Sequence, residues 1–94
     1  MRIRSMTSTN YTACFSLPFS LTRKELTQHR IDPAHIVENI EYQQEDDGTT
    51  TTNFTITCGV DDNQDPDEYF DMVGRELSRY LMGQVCLNEI FVDD

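Results

Sequence analysis

The segment Ile36–Cys58, IVENIEYQQEDDGTTTTNFTITC, decides how the rest of this 94-residue chain is read. It contains two runs with apolar residues at every second position, separated by Glu45-Asp46-Asp47-Gly48. Period-2 alternation marks a strand with one buried face, and Asp-Gly between two such runs marks a hairpin. Two registers compete. With a two-residue Asp47-Gly48 turn, Ile40 and Tyr42 share a face with Thr55 and Asn53, while Phe54 and Ile56 face Glu41 and Asn39, which wastes both apolar faces. With a three-residue loop Asp46-Asp47-Gly48, in which Gly48 takes the left-handed position of a bulge, Ile40 pairs with Phe54, Tyr42 with Thr52 and Ile36 with Cys58. The second register builds one apolar face and is the one expected. The returning strand then covers Thr50 to Cys58, with Phe54, Ile56 and Cys58 inward and Thr51, Asn53, Thr55 and Thr57 outward.

Upstream of the hairpin, Asp32 before Pro33 signals an N-cap, so a turn of helix is expected to carry Ile36 and Val37 before a strand begins near Glu38. Thr22 and Glu25 have capping-box spacing, Leu21 and Leu26 occupy the flanking staple positions, and a short helix is expected through about Arg30. Tyr11, Ala13, Phe15, Leu17 and Phe19 alternate with Thr12, Cys14 and Ser16 as a first strand, which Pro18 limits. Residues 1–9 show no period and are expected to form a flexible segment ahead of a single domain over 10–94.

Downstream, Asp65-Pro66-Asp67-Glu68 reads as a cap, a proline at the first helical position and the closure of a capping box. Phe70, Val73, Leu77, Tyr80 and Leu81 follow as an apolar stripe, with Gly83 as the stop. Acids fill the first turn, Arg75 and Arg79 the second half, and Gly74 in the middle implies close approach to a sheet. Val85 to Val92 closes the chain as a strand, apolar on both sides. The expected class is α+β, a ferredoxin-like βαββαβ order with a four-stranded antiparallel sheet and two helices on one face.

Composition narrows the function classes. Seventeen acids against seven bases give a formal net charge of −10, a surface that repels nucleic-acid phosphates and anionic membranes. The imbalance is concentrated: residues 1–40 carry five bases and three acids, residues 41–94 two bases and fourteen acids. The acidic half also carries the periodic apolar residues, so its acids decorate a folded surface rather than a tail. No apolar run reaches membrane-spanning length and the first residues lack the apolar core of an export signal, so a cytoplasmic location is expected. Cys14, Cys58 and Cys86 are widely spaced and odd in number, and are expected as reduced core thiols.

The chemical motifs fail on inspection. Asp61, Asn63 and Asp65 match the first three ligands of a calcium loop, but Pro66 stands where a glycine must turn and Met72 where a glutamate must close the cage. His29 and His35 flank Pro33 without a cysteine to complete a zinc set. A cysteine within a strand is usually inert, which argues against a Cys-His nucleophile, and no acid and base stand at catalytic spacing. The glycosylation triplets at Asn10 and Asn53 are chance matches without a secretion signal. The strand Thr51 to Thr57 offers threonines without a lysine or arginine, which argues against RNA recognition. No cofactor and no metal are expected.

The expected function is therefore that of a non-enzymatic acidic protein that occupies a basic protein surface. The partner-binding candidates are Glu45, Asp46 and Asp47 at the hairpin tip and Asp61, Asp62, Asp67, Glu68 and Asp71 around the second helix start, with Asp93 and Asp94 ending the chain. In size and charge the chain resembles small acidic inhibitors encoded by phages, including anti-CRISPR proteins, which implies a nucleic-acid-binding channel as target. The alternative is a self-associating structural or regulatory subunit, a homodimer through the open sheet face or the last strand.

Overall fold

A computed structural model describes residues 7–93. The elements run β1 (Ser8–Leu17), α1 (Arg23–Gln28), β2 (Ile36–Gln44), β3 (Thr50–Asp61), α2 (Pro66–Leu81) and β4 (Cys86–Val92). The architecture is α+β: one antiparallel four-stranded sheet in the order β2-β3-β1-β4, with two helices. The segment expected to be flexible, 1–9, falls mostly outside the described residues, but Ser8 and Thr9 open β1 opposite Asp61 and Val60.

The core lies between one sheet face and the helices. Ala13, Phe15 and Leu17 of β1, Phe54, Ile56, Cys58 and Val60 of β3, Leu26 of α1, and Phe70, Val73 and Leu77 of α2 form one buried cluster. Phe15 is its centre, stacked on Phe54 with ring centroids 5.6 Å apart and edge-on to Phe70 at 6.5 Å. Gly74 permits this packing, because a Cβ there would lie 3.3 Å from a ring carbon of Phe15. Thr52 is fully buried yet satisfied: its hydroxyl donates to the Phe19 carbonyl at 2.6 Å and accepts from the Leu21 N–H at 3.2 Å.

The hairpin has the three-residue loop. Tyr42 pairs with Thr52 and Gln44 with Thr50, and Gly48 sits at φ 89°. Ile40 packs against the same core as Phe54. The register does not continue to Ile36, however, which lies opposite Thr57 rather than Cys58. Between Glu38 and Glu41 the strand holds an extra residue against β3, a bulge in which Asn39 takes a left-handed conformation at φ 54°. The shift exchanges faces, so Val37 becomes the buried residue and Ile36 is 52% exposed. Nor is there a helical turn before the strand: Asp32 instead closes a tight turn, accepting the Ala34 N–H on its side chain and the His35 N–H on its carbonyl, and β2 begins at Ile36.

The capping box of α1 is present in both directions. At α2 the side chain of Asp65 takes the Asp67 N–H and Pro66 opens the helix, but Glu68 makes no reciprocal bond among the described residues. The buried stripe is Phe70, Val73, Gly74 and Leu77, and Tyr80 is 58% exposed. The left-handed residue that ends α2 is Met82, at φ 56°, not Gly83. Gly83 has a different reason to be glycine, since a Cβ there would overlap ring carbon Cε1 of Phe19. In β4, a register shift opposite Cys14 and Phe15 places Asn88 as the extra residue, so that Leu87 and Ile90 both reach the core. The strand that reads as apolar on both sides thus has one inward set, leaving Phe91 exposed on the other face and Val92 exposed at its end. Only Cys58 is a buried core thiol; Cys14 is half-buried and Cys86 exposed, and all three are free.

Candidate functional site

The acidic candidates fall into two groups at the two ends of β3. The strand is 12 residues long, so the groups stand about 36 Å apart at 3.3 Å per residue. At the hairpin tip, Glu45 accepts the Thr51 hydroxyl at 2.8 Å, while Asp47 accepts both the hydroxyl and the N–H of Thr49, at 2.6 and 3.0 Å. These two bonds, the hydroxyl first, hold the Asp47 carboxyl below its ordinary range. Asp46 makes no side-chain hydrogen bond or ion pair among the described residues.

At the other end the structure brings together Asp61, Asp62, Asp67, Glu68 and Asp71. Asp61 accepts the Asn63 N–H at 2.9 Å, and Asp62 accepts the Thr9 hydroxyl at 2.9 Å. Hydrogen bonds from Thr7 and then Thr9 lower the pKa of Asp62. Asp71 pairs with Arg75 at 3.4 Å on the exposed side of α2. Asp93 joins this end, because its N–H donates to the Asn10 carbonyl at 2.8 Å and Asn10 lies opposite Gly59. Glu68 borders an open cleft of about 350 Å³ with Asn63, Gln64, Asp65, Tyr69 and Met72. Several acids therefore shape turns as well as carry charge: Asp47, Asp61 and Asp65 each cap the N–H two residues on.

The sequence reading missed one cluster, formed by His35 just before β2, Cys58 on β3 and Tyr69 on α2. His35 is 4% exposed, and its Nε2 shares a hydrogen bond of 2.7 Å with the Tyr69 hydroxyl. Burial keeps the imidazole pKa below its ordinary value, against the pull of Asp32 and with the push of Arg30. Burial likewise raises the Cys58 thiol, partly offset by the Tyr69 hydroxyl, and pushes Tyr69 up to about 12. All three groups are thus neutral near pH 7, and Cys58 lacks the thiolate character of a nucleophile. The cluster is a polar brace at the edge of the core, with His35 and Cys58 buried and Tyr69 half-buried. Its only trace in the sequence is Tyr69 beside Phe70, one position off the apolar stripe. His29 lies elsewhere, beside a small cleft with Gln28, Arg30, Ile31 and Tyr80. Among the described residues no three His, Cys, Asp or Glu side chains are grouped to hold a metal ion, and no helix is long and apolar enough to cross a membrane.

No protein-family model, curated protein or solved structure matches the chain.

Proposed function

We propose that this is a non-enzymatic, cytoplasmic binding protein of ferredoxin-like topology whose carboxylates occupy a basic surface of another protein, a nucleic-acid-binding channel in particular. The strand order β2-β3-β1-β4, with β3 between β1 and β2, supports the split βαβ reading. The observation that carries the function is uncompensated charge at both ends of β3. Among the described residues the ion pairs are Asp71–Arg75 and Glu76–Arg79, each within one helix, so the α2 arginines neutralise their own neighbours only. The remaining acids face solvent over a span of about 36 Å, close to one helical turn of duplex DNA. A groove lined with lysine and arginine to hold a phosphate backbone is complementary to such an array. The likeness in size and charge to small acidic phage inhibitors leads to the same kind of target.

The test is charge reversal at acids that shape no turn. Asp46→Lys, Asp67→Lys and Glu68→Lys together should slow association with a partner captured from the native host and flatten its salt dependence, while circular dichroism shows an unchanged fold. Unchanged kinetics at low and high ionic strength would overturn the proposal.

A further inference from the structure

The helices cover one face of the sheet and leave the other open. On the open face the strand pairings align residues in rows across all four strands. One row is Ile36, Thr57, Thr12 and Phe91; the next is Glu38, Thr55, Cys14 and Glu89; a third is Glu41, Asn53, Ser16 and Cys86. Ile36 and Phe91 are 52% and 49% exposed and bracket a floor in which the Thr12 and Thr57 hydroxyls share a hydrogen bond of 2.8 Å. Glu38 and Glu89 stand on the two edge strands of the second row, about 14 Å apart at 4.7–4.9 Å per strand. The Glu89 charge is felt at the centre of that row, where after burial it is the next cause of the raised Cys14 pKa. Of the lysines and arginines among the described residues, Arg23 reaches the edge strand β2, donating to the Val37 carbonyl at 3.1 Å, while Lys24 in α1, Arg30 in the turn after it, and Arg75 and Arg79 in α2 stand on other elements. The open face thus carries Glu38, Glu41 and Glu89 on its two edge strands, with an apolar contact at each end of one row.

We infer that this open face is the docking surface, and that its occupant is a basic amphipathic segment of the partner protein, which sets lysines or arginines over Glu38 and Glu89 and an apolar side chain over the threonine floor between Ile36 and Phe91. This rests on the reading of the protein as a ligand of basic surfaces, and it moves the centre of the contact from the loops to the sheet. Charge complementarity selects that occupant over a second copy of the chain. Stacking two copies face to face brings rows of carboxylates together in a chain of net charge −10, whereas a basic segment neutralises them and covers Ile36 and Phe91.

The probe is a synthetic amphipathic lysine-leucine peptide titrated into the isotopically labelled full chain. Amide shifts are expected at Thr12, Cys14, Thr55 and Thr57, and Glu38→Gln/Glu89→Gln and Phe91→Ser should each weaken binding about tenfold. Circular dichroism checks folding, and the exposed Phe91 keeps the test decisive if the glutamate pair perturbs β2. Shifts confined to 45–48 and 61–71, with affinity lost only in the Asp46→Lys/Asp67→Lys/Glu68→Lys variant, would overturn this inference and leave the basic-partner reading standing. Absence of peptide binding at low salt would overturn both. Concentration-dependent dimers that Phe91→Ser dissolves would also overturn it, by assigning the face to self-association.

Discussion

His35 and Tyr69, 34 residues apart in sequence, share a 2.7 Å hydrogen bond that ties the start of β2 to α2 across the core edge. The other ring nitrogen, Nδ1, is buried without a partner among the described residues. A protonated imidazole here would place a charge where solvent hardly reaches it, and the group facing it is the neutral Tyr69 hydroxyl, with Asp32 and Arg30 nearby acting in opposite directions.

Stability should therefore fall with mild acid. Burial lowers the native pKa of His35, so the unfolded chain binds the proton more readily. Its contribution is unperturbed above the unfolded value, about 6.5, and turns destabilising as pH falls from there towards the lower native value. Urea midpoints should drop between about pH 7.5 and about pH 5.5, and His35→Gln should remove much of that slope. The carboxylates with lowered pKa, Glu25, Asp47 and Asp62, lose their hydrogen-bonded advantage only in the more acidic range below the unfolded carboxylate value, which separates the two effects. A wild-type slope that persists unchanged in His35→Gln would refute the assignment.

Gly83 and Phe19 should behave as a coupled pair. Gly83→Ala drives a methyl group into the Phe19 ring and is expected to cost about 1–3 kcal/mol. Combined with Phe19→Leu, the same alanine should cost less, and a double-mutant cycle by denaturant unfolding reads the coupling. Additive effects would show that the glycine serves another purpose.

Along α2, the contrast between neighbouring turns is the measurement. Phe70→Ala should cost about 3–5 kcal/mol and Leu77→Ala about 2–5 kcal/mol, because both side chains lie in the core. Tyr80→Ala should stay within about 0.5 kcal/mol, since that ring is mostly exposed. Equal losses at Leu77 and Tyr80 would place the packed face of the helix incorrectly.

The bulge makes its own forecast. Asn39 is left-handed, and its side-chain amide donates to the Thr55 hydroxyl at 3.1 Å. Asn39→Val should cost about 1–2 kcal/mol, because a β-branched residue is strained there, whereas Asn39→Gly should be tolerated far better. A valine variant as stable as the glycine variant would mean that β2 pairs without the bulge.

Much of this architecture was legible in local chemistry. The capping box at Thr22 and Glu25, the Asp65-Pro66 helix start, the three-residue loop at Gly48 and the inward set Phe54, Ile56 and Cys58 follow from propensities and periods that act within a few residues. Tertiary packing decided the rest. Whether Ile36 or Val37 faces inward depends on a bulge, and a bulge is chosen by how the whole strand fits its neighbour; the same holds for Asn88 in β4, which lets Leu87 and Ile90 both reach the core. The left-handed residue is Met82 rather than Gly83, and what excludes a side chain at Gly83 is the ring of Phe19, some sixty residues away in sequence. The acids of the candidate site could be counted from composition, but their division between turn-shaping and free carboxylates required the hydrogen bonds. The rows across the open sheet face, and the brace of His35, Tyr69 and Cys58, exist only once β1 lies between β3 and β4 and α2 packs beneath them, since contacts between residues distant in sequence are set by the assembled sheet and leave no local period to read.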